Sequence, residues 1–571
     1  MKRWRLAEGL DDQAGQLVAH SGFAHSLARA LVGRGVRSPT EVDQFLKPRL
    51  SALQDPFLLP GMDRAVDRIW AAIRAKETIV VYGDYDVDGV TSAALMVLIL
   101  GRLGAQVSCC LPNRIEEGYG LSAEALERCI QSAHPRLIVT TDCGSGSADV
   151  IAMAHQAGID VVVTDHHEVD RAPAGAVAVV NPKLGDNLSA RMLAGVGVAF
   201  KVCHALLRVG RERRMAAAEA VDLRDYLDLV ALGTIADVVP MLDENRILTR
   251  HGLSRLNITN RVGLRALADV AGVRGEMGSY HVGFVLGPRI NAVGRMGNAE
   301  AALELLLTEE VSRARELASS LDTSNRERKR IETGMIDTAI ARIDAYFDPA
   351  AHYGIVVGET GWHVGVVGIV ASRLAAHYDR PAVVVGFDEA GVGRGSCRSI
   401  PGFDLVMGLK CCERHLDRFG GHAMAAGLEM SRDNFDRFCE TFHQACKDSL
   451  EGRDLAPTLD LDAWVSLDEA TDPQFMQTLN QMAPFGEGNP EPVWGLRGVR
   501  LIGAPRILKE RHLKMMVGVG SRQCEAIGFG MGEREVPSGE LDLAFVLREN
   551  NYMGRTSLQL QLQDFRPSQA V

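Results

Sequence analysis

No apolar run in the chain is long enough to cross a bilayer. The longest, Ala93 to Leu100, falls far short of the roughly 18 to 20 residues a membrane helix needs. The start, Met1-Lys2-Arg3-Trp4-Arg5, runs into a charged segment rather than an apolar one, so no secretory signal is read and the cytoplasm is the expected compartment. No Cys-x-x-Cys occurs among the 11 cysteines, an odd number that includes the adjacent pairs Cys109-Cys110 and Cys411-Cys412. This scatter disfavours a disulfide framework and structural zinc, and the thiols read as reduced, mostly buried apolar groups. Positive charge is also in short supply. Lys and Arg number 62 against 73 Asp and Glu, a formal charge of −11, which argues against a globally cationic nucleic-acid binder and leaves room for local basic tracks.

The chain does have bulk. At 571 residues it exceeds the roughly 250 to 300 at which a single core stops growing, so two to four domains are expected. A composition 46% hydrophobic and 24% charged is that of an ordinary folded protein. From about residue 78 to 180, short β-branched runs (Thr78–Tyr82, Leu137–Thr141, Val161–Thr164, Ala176–Val180) alternate with helical patterns, the signature of a parallel sheet. Helices are expected over Val198–Arg208 and Leu223–Ala236. Proline-free helical text over Val311–Asp322 and Asn325–Ile343 reads as a long connector. A second α/β segment follows, with strands at Ile355–Val357 and Ala382–Gly386 around a helix over Val366–Tyr378. After Pro457 short alternating strands suggest a small barrel or sandwich.

Three apolar runs each end in a carboxylate: Asp84, Asp142 and Asp165. Ligands of an open parallel sheet sit beyond the carboxyl ends of its strands, so these residues converge on one edge. The first run continues as Asp84-Tyr85-Asp86-Val87-Asp88-Gly89, and so dense a cluster of negative charge calls for cations. A solvated turn or a calcium loop is the competing reading. No Glu stands at the twelfth position of an EF-hand, however, and no helix precedes the turn. Asp165-His166-His167 adds two imidazoles at the same edge, and Asp237 interrupts an otherwise apolar run, where an unpaired charge would be penalised. Oxygen ligands with one or two imidazoles suit a pair of Mn²⁺ or Mg²⁺ ions. Such a pair hydrolyses phosphoesters or phosphoanhydrides.

In order and spacing, the Asp-x-Asp-x-Asp-Gly turn, Asp142, the Asp-His-His triplet and Asp237 in Gly-Thr-Ile-Ala-Asp-Val-Val-Pro resemble the four motifs of the DHH phosphoesterases. The resemblance implies that Asp86, Asp88, Asp142, His166 and Asp237 hold two divalent cations, with Asp142 bridging. It puts Asp84 and His167 beside them as catalytic groups and Asp165 behind the histidines. Leu111-Pro112-Asn113-Arg114, Gly287-Pro288-Arg289-Ile290-Asn291, Gly393-Arg394-Gly395-Ser396-Cys397-Arg398 and Phe419-Gly420-Gly421-His422 are similar to the branch that digests single-stranded DNA from a 5′ end. By that likeness Arg114, Ser396 and Arg398, with Arg289 or Arg295 and with Gly420 and Gly421, hold phosphate, and His422 faces the cations from the second domain. The implied division is a DHH catalytic domain over 1–300 that includes an N-terminal helical segment, a helical connector over 301–350, a DHH-associated domain over 351–455, and an OB-like domain over 456–571. The expected activity is a single-strand-specific 5′→3′ exonuclease of DNA repair and recombination that releases 5′-mononucleotides. The expected enzyme is a monomer without membrane contact, with a single-strand-binding protein and a helicase as partner classes. A phosphodiesterase of short oligonucleotides or cyclic dinucleotides is the alternative.

Further expectations attach to single residues. Arg511, His512, Lys514 and Arg555 would form a basic strand face. Tyr85, Tyr119 and Tyr552 are candidates for base stacking, although packing is the commoner fate of a lone aromatic. Two departures from the family stand out: Met296-Gly297-Asn298-Ala299, where family members are more acidic, and Cys143, where Asn is common. Cys143 is expected to pack.

Overall fold

β-branched runs that are apolar on both faces can only be satisfied inside a sheet covered by helices on both sides. That is the environment found in the computed structural model, which describes residues 2–112, 120–296, 299–552 and 555–568. The first sheet runs, in spatial order, Gln106–Cys110, Thr78–Gly83, Leu137–Thr141, Asp160–Thr164 and Ala178–Val180, with every neighbour parallel. The sequence reading lacked the edge strand Gln106–Cys110, whose alternating exposure gives a weaker apolar signal. Helices Met62–Ala75, Val87–Arg102 and Gly195–Glu212 pack into one large core with the sheet.

The expected connector is one continuous helix, Val311–Asp344, 34 residues long, or about 50 Å at 1.5 Å per residue. It leads to a second sheet ordered Arg418–His422, Ala425–Ser431, Val392–Arg398, Ala382–Phe387 and Ile355–Thr360, in which only the last pair is parallel. Helix Val367–Tyr378 packs on one face, and Leu405–Cys411 with Phe435–Leu450 on the other.

The C-terminal region is a curled sheet running Ala463–Trp464, Trp494–Leu501, Leu541–Tyr552, Arg555–Pro567, Arg522–Gly528, His512–Val519 and Arg506–Leu508. A further pairing of Arg500 and Leu501 with Gly518 and Val517 draws it toward a barrel. Here the packing departs from the expected boundaries. The N-terminal helices Asp11–Ser21, His25–Gly33 and Pro39–Leu46, expected within the 1–300 domain, share a core with the barrel instead: Leu17, Leu27, Leu31 and Phe45 lie in one cluster with Trp494, Phe545 and Phe565. Their apolar stripes fit the open side of the barrel. The strand Arg3–Leu6 extends the attachment by pairing in parallel with Thr458–Leu461.

Arg246, with Arg250 and His251 from the same helix, ties this unit to the first sheet domain. The Arg246 guanidinium lies 3.9 Å from the centre of the Phe45 ring and donates to the carbonyls of Phe45, Gln481, Met482 and Ala483 at 2.8 to 3.1 Å. Three of these carbonyls end the helix Pro473–Met482, where the helix dipole favours a cation.

Candidate metal centre and phosphate pocket

The carboxylates at the strand ends meet as their positions predict. Asp86 caps helix Val87–Arg102, with one oxygen accepting from the Gly89 amide at 3.0 Å. Asp88, in the first turn of the same helix, is held by the first amides of another helix: Gly195 donates to it at 2.6 Å and Val196 at 2.9 Å. Backbone approaches so closely that a Cβ on Gly195 would stand 2.5 Å from Asp142 Oδ1, and one on Gly233 would stand 2.7 Å from Asp88 Oδ1. Glycine is therefore required at both positions.

Asp142 follows its strand with a left-handed φ of +63°, a conformation that costs free energy in a non-glycine residue and persists where the surroundings impose it. His166 Nε2 lies 3.1 Å from Asp142 Oδ1, 3.5 Å from Asp237 Oδ2 and 3.9 Å from Asp88 Oδ2. Three overlapping groups have ligand atoms within 4.8 Å of one another: Asp84, Asp86 and Asp142; Asp88, His166 and Asp237; Asp142, His166 and His167. Asp142 Oδ1, His166 Nε2 and Asp237 Oδ2 are buried without a hydrogen-bond partner among the described residues. Buried polar atoms are seldom left so. Atoms that lack protein partners and point at one another fit divalent cations, and the shared members Asp142 and His166 fit a pair of them.

Electrostatics agree. Burial first, and then the neighbouring carboxylates, push the Asp88, Asp142 and Asp237 carboxyls up. Burial and the charge of His167 push His166 down to about 4, leaving a neutral imidazole able to ligate a metal. Asp165 differs. Although burial opposes it, the hydrogen bond from His167 Nδ1 at 2.7 Å holds this carboxyl well below the usual range and raises His167 in return. Asp165 also accepts from the amides of His166, His167 and Ser145.

Sequence reasoning missed Asn181. Fully buried, it donates to Ser145 Oγ at 2.9 Å and to the His167 carbonyl at 3.0 Å, fixing the histidine turn from behind. Its only signal was a polar residue closing the strand Ala178–Val180. Cys143 is buried, with its thiol pushed up, and it packs under the sheet edge.

The phosphate candidates divide. A cavity of about 440 Å³ brings Arg295 of the first domain together with Ser396, Arg398, Gly420 and Gly421 of the second, along with Arg394, which the sequence reading did not single out. Arg398 donates to Ser396 Oγ at 3.0 Å. Arg289 lies elsewhere. Its guanidinium pairs with the buried Asp322 at 2.9 Å and donates to the Val285 carbonyl, so of the two arginines expected as equals only Arg295 lines this cavity. Arg114 and Tyr119 lie outside the described residues, as do Gly297, Asn298 and the side chains of Tyr552 and Arg555. His422 is exposed at the end of its strand, and its charge bears on Glu168, the neighbour of His167 across the gap. Lys514 pairs with Glu525 at 2.6 Å, which leaves Arg511 and His512 of the expected basic face among the described side chains. Tyr85 packs against the first core. A larger cavity of about 1040 Å³ beside Pro39–Leu46 sets Lys47 and Arg49 against Asp43, Glu41 and Asp243 and holds none of these site residues.

Comparison with known proteins finds three family domains along the chain. Residues 78–234 match the DHH family, N-terminal domain; residues 350–448 match the DHHA1 domain; residues 461–564 match the RecJ OB domain. The single-stranded-DNA-specific exonuclease RecJ of Bacillus subtilis is 38% identical, over 98% of this chain and 70% of its own. The crystal structure of RecJ from Thermus thermophilus in complex with Mn²⁺ superposes with a TM-score of 0.83 at 31% identity, covering 100% of this chain and 80% of that one. Its Mg²⁺ complex gives 0.77 at 30% identity, covering 100% and 79%.

Proposed function

The chain belongs to the RecJ family of single-stranded-DNA-specific exonucleases, and from that premise we propose how its residues divide the reaction. It is a metal-dependent exonuclease acting on single-stranded DNA. The observation that carries the mechanism is the set of overlapping carboxylate and imidazole triads with orphaned buried atoms. Asp86, Asp88, Asp142, His166 and Asp237 hold the divalent cations, Mn²⁺ or Mg²⁺, which when bound activate water and neutralise charge on the scissile phosphate.

The protein does the positioning. Arg295, Ser396 and Arg398 grip the 5′-terminal phosphate with charged donors. That grip sets the first phosphodiester at the metal centre and so gives 5′→3′ polarity. Water adds to phosphorus, the bond to the 3′-oxygen of the terminal nucleotide breaks, and a 5′-mononucleotide leaves a strand with a new 5′-phosphate. His167, with Nδ1 held by Asp165, carries a proton for the departing 3′-oxygen. Asp84 and His422 flank the same phosphate, and Arg114 is proposed as a further contact. A narrow gap between the two sheet domains, braced by the 34-residue helix, excludes a duplex.

Among the described residues no helix is long and apolar enough to cross a membrane. Likeness to the RecJ exonucleases supports a proposed cytoplasmic role in DNA repair and recombination, with a single-strand-binding protein and a helicase as proposed partners. A site complete within one chain supports a monomer. The test offers 5′-labelled single strands, duplexes, dinucleotides and pyrophosphate side by side with each metal. Single strands should be digested, and Asp142→Ala should lose more than about 100-fold, beyond the usual effect of residues behind a ligand. Cleavage of dinucleotides alone would overturn the reading.

A further inference from the structure

Beside the metal centre the chain displays apolar side chains where water would be expected to favour polar ones. Tyr280 and Phe284 are 64% and 70% exposed, and their rings stack at 5.3 Å between centres with 27° between planes. They stand on Ser279–His281 and the π-helical turn Val282–Leu286, an irregularity that concentrates at functional sites. The same turn runs into helix Gly287–Met296, which carries Arg295 to the phosphate pocket and Asn291 to the amide of Val87 at 3.0 Å. Its glycines lie against the metal-side helix. A Cβ on Gly283 would lie 3.7 Å from Ile235, and one on Gly287 would lie 3.6 Å from Ala236, so the turn that bears the aromatic pair packs beside the segment that ends in Asp237. Val238, next in sequence, is 65% exposed with φ +62°. Left-handed backbone is a genuine outlier for a β-branched residue and persists only where the structure over-determines it.

We propose that Tyr280 and Phe284 form a stacking platform for nucleobases of the strand just 3′ of the scissile bond. The inference rests on the exonuclease reading and adds a specificity element to it. Stacking on an aromatic face accepts every base, as an exonuclease without sequence preference needs. It also demands an unpaired base, so the platform would select single strands chemically where the gap selects them sterically.

The experiment moves a single abasic site through positions 2 to 8 of a 5′-phosphorylated thymidine 20-mer and reads KM for the full-length protein. The wild type should show a KM rise of about tenfold when the missing base falls on one or two adjacent positions. The Tyr280→Ser/Phe284→Ser variant should carry a comparable rise on the intact strand and no further penalty at those positions. A wild-type profile flat across all positions overturns the proposal, and so does a variant that keeps the wild-type positional penalty. If the double variant does not fold, Tyr280→Ser alone and the wild-type profile decide the question. Altered sedimentation of the variant with unchanged KM would assign the face to a second copy of the chain and also overturn it. Failure of the wild type to digest the intact strand would fault the exonuclease reading instead.

Discussion

Asp88 and Asp237 illustrate how a ligand set is built against its own stability. Burial and mutual repulsion raise their carboxyls to about 7 and about 9 in the metal-free protein, against an unfolded value near 3.9. A carboxyl raised on folding binds protons more tightly in the native state, so its stabilisation is present at low pH and lost as pH rises through the folded value. With chelator present, the melting temperature should therefore fall between about pH 5 and pH 9, and saturating Mn²⁺ should remove most of that slope. A melting series by scanning calorimetry checks it. A metal-free slope of opposite sign would mean that these carboxylates are not repelling one another. The centre was legible in the sequence because Asp84, Asp142 and Asp165 each follow an apolar run, so strand order alone brought those three acids to one edge. Asn181 was not legible, because its partners Ser145 and His167 are neighbours only in space.

At the scale of elements, Arg289 and Arg295 sit nearly two helical turns apart in one helix and do different work. Arg289 braces that helix to the 34-residue connector through Asp322, which also takes Arg326 at 2.6 Å. Removing Arg289 leaves the buried Asp322 with only the exposed Arg326, at a cost of about 1 to 3 kcal/mol. Arg289→Ala should lower stability to denaturant by that amount while leaving KM for a 5′-phosphorylated strand near its original value. Arg295→Ala should raise KM about tenfold or more and leave stability nearly unchanged. Steady-state kinetics and denaturant melts on the two proteins separate the roles. Sequence spacing could not, since both arginines lie on a helix whose contacts come from Asp322 and Gly365, distant along the chain. The connector helix itself was readable from its proline-free, periodic text.

At the scale of the molecule, the first 47 residues belong physically with the last hundred. Leu17, Leu27, Leu31 and Phe45 complete a core with Trp494, Phe545 and Phe565, so deleting residues 1–47 should expose that core and destabilise the C-terminal unit. A truncated chain that melts like the full-length protein in scanning calorimetry would contradict the shared core. The apolar stripes of the N-terminal helices were legible, but their destination was not. A helical stripe announces that it must be covered, and which distant surface covers it depends on shape complementarity that no local pattern encodes.

The pairing of Arg3–Leu6 with Thr458–Leu461, reinforced by Trp4 Nε1 on Asp564 at 2.8 Å, makes the polypeptide return to where it began. Its two sheet domains are thus links in a closed circuit rather than beads on an open string. A single cut in the long helix would not release half the molecule. The fragments would stay fastened at the far side, and the gap between them would slacken like a clasp whose spring has been severed.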